Sequence, residues 1–195
     1  MLSGGGLTNL LKALKASDFI TTYTSYKGSK HDTCYKLIDS YCLFYLYFME
    51  NGKTTNEHFW QDNLPSASLN AWRGYTFENT CFSHIEQIKD ALGIRGVQTE
   101  MAPWRSKEKY DGAQIDMVID RADRVINICE MKFCGDDFSI TKKYGKELRR
   151  KLELFSSETK NRKSLHLTIV TTYGLRRNEY SGKVQNVIPM DDLFR

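Results

Sequence analysis

Val125-Ile126-Asn127-Ile128-Cys129-Glu130-Met131-Lys132-Phe133 is an apolar, β-branched run that reads as a buried strand carrying two charges. Alternation along a strand puts Glu130 and Lys132 on the same face. A carboxylate in such a run is costly to bury alone, so it requires a cation, a metal ion or both beside it. The E-x-K spacing is weak evidence by itself. Glu158-Thr159-Lys160 repeats it in a polar stretch expected to be a helix end, where it carries no chemistry.

Working outward, Arg121-Ala122-Asp123-Arg124 reads as a turn and Ala113 to Asp120 as the strand before it. With the turn centred on residues 122 and 123, antiparallel pairing places Asp116 opposite Cys129 or, with one residue of slack, opposite Glu130. Two converging carboxylates repel unless a divalent cation lies between them, and oxygen ligands favour Mg²⁺ or Mn²⁺. Lys132 would then stand beside the ion, able to position a water or to stabilise charge on a phosphate. The plainer alternative is an ion pair of Lys132 with one acid, the other lying at the sheet rim. A third acid is Glu78. Trp72 to Leu92 reads as one helix with Phe77, Cys81, Ile85, Ile88 and Leu92 on a stripe, and Glu78 at its edge can point into a cleft.

Val97 to Trp104 suits a first strand. Ile140 to Thr159 returns to helical period, with Ile140, Tyr144, Leu148, Leu152 and Phe155 on an apolar stripe and Lys142, Lys146 and Arg149 on another face. Ser164 to Tyr173 and Lys183 to Met190 supply two further strands. The order α-β-β-β-α-β predicts an α/β domain over 72–195, a mixed sheet flanked by helices. Upstream, Leu7, Leu10, Leu11 and Leu14 mark an amphipathic helix ending near Ser17. Phe19 to Tyr26 and Thr33 to Ile38 suit a hairpin around Lys27-Gly28-Ser29-Lys30, and Asp39 could cap a helix from Tyr41 to Glu50, closed by Asn51-Gly52. Helix, basic hairpin and closing helix resemble the back half of a winged-helix domain over 1–52, followed by a connection at 53–71. DNA contact and packing against the rest of the chain are both open to that segment.

The composition permits a packed core: of 195 residues, 41% are hydrophobic and 12% aromatic, with three prolines. Net charge is +4, yet residues 140–163 hold nine Lys and Arg against three acids, so the remainder is net negative. Such a helix either faces a polyanion or is a solvated face. Five cysteines (Cys34, Cys42, Cys81, Cys129, Cys134) form no CxxC pair, and His31, His58, His84 and His166 lack partners at ligand spacing. The first residues lack signal-peptide order, and the longest apolar run, Tyr41 to Met49, is far short of the ~20 residues that span a bilayer. A soluble, cytoplasmic protein with reduced thiols and no membrane partner is expected.

Glu78 on a leading helix, Asp116 on a strand, Glu130-x-Lys132 on the next strand and a basic helix after it resemble the PD-(D/E)XK nuclease superfamily, the restriction-endonuclease-like fold. More specifically, Trp72-Arg73-Gly74-Tyr75-Thr76-Phe77-Glu78, Gly112-Ala113-Gln114-Ile115-Asp116 and Ile128-Cys129-Glu130-Met131-Lys132 look like the C-terminal nuclease-like region of a group of prokaryotic ATPases. In those proteins an AAA-type ATPase domain and a winged helix come first. The resemblance implies metal-dependent hydrolysis of DNA to 5′-phosphate products. Asp116, Glu130 and the backbone carbonyl of Met131 would hold Mg²⁺ (or Mn²⁺), and Glu78 would bind directly or through water. Lys132 would orient the attacking water, and Lys142, Lys146 and Arg149 would neutralise DNA phosphates. It also implies an AAA-type ATPase partner and a homodimer that cuts both strands.

The chain departs from the family pattern at three points. Ile115 stands where the family name has proline, Ile140 stands four residues before Tyr144 where some relatives have the glutamine of QxxxY, and no GxxxxGK[ST] is present. The other expectation from sequence is a non-cleaving DNA-binding or regulatory module associated with an ATPase.

Overall fold

The computed structural model describes residues 4–29, 33–50, 57–64, 66–108 and 111–195. The chain opens with α1 (Gly5–Ala16), the hairpin β1 (Ile20–Thr24) and β2 (Thr33–Leu37), and α2 (Ser40–Phe44), which continues as a π-helical turn to Met49. Asp39 caps α2, its carboxylate accepting from the Cys42 amide at 2.6 Å. Then come α3 (Phe59–Asp62), α4 (Ala67–Ser83), α5 (Ile85–Ala91), β3 (Thr99–Arg105), β4 (Gln114–Arg121), β5 (Val125–Lys132) and β6 (Phe138–Ser139). The chain finishes with α6 (Lys142–Thr159), β7 (Ser164–Thr171), β8 (Leu175–Arg176) and β9 (Val184–Pro189), followed by a 3₁₀ turn.

Five strands form a mixed sheet in the order β3-β4-β5-β7-β9. β3, β4 and β5 are antiparallel neighbours, whereas β7 and β9 run parallel to β5. Both faces are covered. On one, Ile126, Ile128, Leu167 and Ile169 pack against Leu148 and Phe155 of α6. On the other, Met117, Ile119, Cys129 and Val170 pack against Phe77 and Cys81 of α4 and Ile88 of α5. Burial on both faces is why β5 reads as an almost unbroken apolar run. The architecture is the expected α/β one, a mixed sheet flanked by helices.

Several boundaries differ from the sequence reading. The helix expected over Trp72 to Leu92 is two helices, because His84 leaves helical geometry at φ −115° and ψ 36° and its ring nitrogen lies 2.8 Å from the Thr80 carbonyl. α4 also begins earlier, at Ala67, where Ser66 caps it by accepting from the Leu69 amide at 3.2 Å. α3 and the start of α4 therefore fall within the expected connection at 53–71. α6 starts at Lys142, capped by Thr141, which leaves the buried Ile140 outside the helix. The β4–β5 turn has three residues, 122–124, with Arg124 in the left-handed region at φ 69°. That loop sets Met117 opposite Cys129, so continuing the register puts Asp116 opposite Glu130. The two-residue strands β6 and β8, which pair with each other, were not expected.

Helix, hairpin and helix follow in the expected order at the start of the chain, and the hairpin is docked on the body. Tyr26 is buried, its ring stacks on Phe155 with centroids 5.6 Å apart, and its hydroxyl donates to Asp120 at 2.5 Å. Its amide donates to the Pro103 carbonyl on the edge strand β3, and the Lys27 ammonium donates to the Thr159 carbonyl that ends α6. Tyr75 and Asn79 of α4 both donate to the Leu37 carbonyl at 3.1 Å. Lys30 of the basic tip, His31, the Asn51-Gly52 helix stop and residues 53–56 of the connection lie outside the described residues. Among the described residues, no helix is long and apolar enough to cross a membrane.

Candidate functional site

The β4–β5 ladder ends at the Met117–Cys129 pair, and the Asp116 side chain takes over beyond it. Its Oδ2 accepts from the Met131 amide at 2.8 Å, in place of a backbone carbonyl. In a strand the N–H and C=O of one residue point to the same side, so the Met131 carbonyl faces the same gap. Glu130 points towards α6 and is completely buried. Lys151 donates to both its oxygens at 2.7 and 2.8 Å, and the Tyr144 hydroxyl donates at 2.8 Å. The Lys132 ammonium lies 3.5 Å from Glu130 and 3.7 Å from Asp116. One cation thus bridges the two acids.

Burial raises the pKa of Glu130, Asp116 adds to that effect, and Lys151 and Lys132 only partly oppose it. For Lys132 burial acts downward, but the carboxylates of Asp116 and Glu130 outweigh it and the net shift is upward. Lys132 is therefore an ammonium at neutral pH, a cation and not a base. Burial and the neighbouring Glu130 push the Tyr144 hydroxyl far above the usual tyrosine range, which keeps it a hydrogen-bond donor. By formal charge, the two carboxylates are matched by the two ammoniums.

The other expected site residues lie further out. Glu78 is on α4 and pairs with Lys36 of β2 at 3.2 Å; that ammonium also lies over the Tyr75 and Phe82 rings. Glu78 and Asp116 line one cavity of about 570 Å³ between the hairpin, α4 and the β3–β4 edge. Lys142, Lys146 and Arg149 are exposed and line a separate hollow with Glu179, Tyr180 and Lys183. At 100° per residue they fall on the side of α6 opposite Tyr144, Leu148, Lys151 and Phe155. The structure therefore gathers Asp116, Glu130 and Lys132, sets Glu78 on the wall of an adjoining cavity, and turns the three basic residues away from Glu130.

Two residues of the cluster, Tyr144 and Lys151, had no site role in the sequence reading. A signal for Lys151 exists: it is the one charge on the stripe of Tyr144, Leu148 and Phe155, and only 8% of it is exposed. Among the described residues, no group of three or more His, Cys, Asp or Glu side chains is gathered to hold a metal ion. The oxygen donors at hand are the two carboxylates near Lys132 and, by strand geometry, the Met131 carbonyl. That composition suits Mg²⁺, which commonly takes one or two carboxylates and keeps several waters.

No family model matches the chain, and no curated protein matches it. Among solved structures it is similar to one described as a protein of unknown function, AF1548, at 15% identity and a TM-score of 0.41. The likeness covers 58% of this chain and 64% of that one, so the chain spans less than two thirds of that protein.

Proposed function

We propose that the chain is a nuclease that hydrolyses DNA phosphodiester bonds with the help of Mg²⁺ or Mn²⁺. The observation that carries this reading is the placement of both acids, Asp116 and Glu130, within 4 Å of the Lys132 ammonium where the β4–β5 ladder opens. The resemblance to PD-(D/E)XK nucleases in the order of Glu78, Asp116, Glu130 and Lys132 supports it. Asp116, Glu130 and the Met131 carbonyl would hold the ion, with Glu78 binding it directly or through water. When bound, the ion supplies Lewis-acid polarisation of a phosphoryl oxygen and a water of lowered pKa. Lys132 would orient the attacking water and offset the charge that builds on the phosphate. Tyr144 and Lys151 fix the Glu130 carboxylate through three hydrogen bonds. Lys142, Lys146 and Arg149 neutralise backbone phosphates away from the chemistry, a sequence-blind attraction that weakens with salt.

The reading extends to a cytoplasmic protein whose first fifty residues are the end of a winged helix. An AAA-type ATPase domain would be its partner and a homodimer its form for cutting two strands. In the decisive assay, DNA nicking depends on Mg²⁺ or Mn²⁺, and Asp116→Ala, Glu130→Ala and Lys132→Ala each abolish it. Cleavage unaffected by all three overturns the assignment. A second reading, a non-cleaving DNA-binding or regulatory module, is favoured by one observation: Lys151 and Lys132 already balance both acids. Binding without cleavage in every metal ion tested selects it.

A further inference from the structure

The cavity of about 570 Å³ has a composition of its own. Tyr23 and Lys36 of the hairpin line one side, Tyr75 and Glu78 of α4 another, and Arg105 of the edge strand β3 and Asp116 of its neighbour β4 a third. Tyr23 lies on the same hairpin face as Lys36, since Lys36 pairs with Thr21 and side chains alternate. Lys36 is occupied by Glu78 and by the Tyr75 ring. Arg105 is exposed, and its guanidinium has no carboxylate within ion-pair distance among the described residues and donates to the neutral Gln114 at 3.1 Å. The cavity thus offers an aromatic ring, an uncommitted guanidinium and, on the same lining, one of the two acids of the cluster.

We propose that this cavity takes up one unpaired strand of DNA, which passes under the hairpin and brings a phosphate to Asp116. This rests on the nuclease reading and adds its substrate class. Volume favours one strand over two. A cube of 570 Å³ is about 8 Å on edge, whereas the major groove of a duplex alone is ~12 Å wide. Recess points the same way, because the Asp116 side chain is only 10% exposed and Glu130 not at all. A ring and a guanidinium side by side are the means by which single strands are bound without sequence preference: the ring stacks a base and the cation meets a phosphate. Tyr23 is assigned the first role and Arg105 the second.

The test is fluorescence anisotropy in EDTA with a short labelled oligonucleotide, single-stranded or annealed to its complement. The protein is the full chain carrying Lys142→Ala, Lys146→Ala and Arg149→Ala, so that the outer face of α6 does not contribute. Single strand is expected to bind at least ~10-fold more tightly than duplex. Tyr23→Leu, which keeps bulk but removes the ring, weakens single-strand binding about ten-fold, and Tyr23→Phe restores it. Arg105→Gln lowers the salt slope by about one. Duplex bound as tightly as single strand, or Tyr23→Leu binding like its parent, overturns the proposal. Selective single-strand binding with no cleavage in any metal ion supports it while ending the nuclease reading. Cleavage of duplex without strand preference does the reverse.

Discussion

Lys151 and Lys146 stand five residues apart on α6, yet one is 8% exposed with its ammonium 2.7 Å from Glu130 and the other is open to solvent. Lys151 has given up its hydration for two hydrogen bonds to one carboxylate, so it stands or falls with that partner. Lys146 keeps its water and, among the described residues, has no carboxylate within ion-pair distance. Along one helix, then, the same residue type is half of a buried charge pair or a screened surface charge. The face of α6 on which each lies decides which, since residues five apart are about 140° apart around the axis.

The largest effect is expected for Lys151→Met. It leaves the Glu130 carboxylate buried without its principal cation and is expected to lower unfolding stability by about 3–5 kcal/mol in urea titration. Pairing it with Glu130→Gln removes the stranded charge and recovers a large part of that loss. A Lys151→Met protein within about 1 kcal/mol of wild type contradicts the burial argument.

A smaller effect concerns pH. The folded-state pKa of Glu130 is raised, by burial first. The folded protein therefore binds this proton more readily than the unfolded chain does. The penalty for the buried charge is fully present above the folded pKa and is relieved as pH falls through it towards the unfolded value of about 4.3. Wild type should gain stability relative to Glu130→Gln over that window, and a relative loss contradicts it. On the nuclease reading, which needs Glu130 ionised, cleavage should fall over the same window.

The smallest effect is expected at Lys146. Lys146→Ala should change stability by no more than about 0.5 kcal/mol, while lowering the salt slope of DNA binding by about one. If it destabilises as much as Lys151→Met, the two faces are not different in kind.

Much of the sheet could be read from sequence because strand period and turn position are local. The turn at residues 122–124 fixes the β4–β5 register, and that register carries Asp116 to Glu130. The two E-x-K triplets differ for the same local reason. On a strand, residues two apart share a face, whereas on a helix they are about 200° apart. Glu158 accordingly turns to Ser106 and Lys107, accepting from the latter's amide at 3.0 Å, and Lys160 becomes the left-handed cap of α6. The cations of the site are set by tertiary contact instead. Lys151 reaches Glu130 only because Leu148 and Phe155 seat α6 on the sheet. Lys36 reaches Glu78 across 42 residues because the hairpin docks on α4. The break at His84 was equally hidden, since the hydrophobic stripe runs through it unchanged.

Whether Asp116 and Glu130 share a divalent ion is read from diffraction of crystals soaked in Mn²⁺, recorded at a wavelength where manganese scatters anomalously. An anomalous peak contacted by the Asp116 and Glu130 carboxylates and the Met131 carbonyl, lost in Asp116→Asn, is expected. Clear density for both acids held only by Lys132 and Lys151, with no anomalous peak between them, would contradict it.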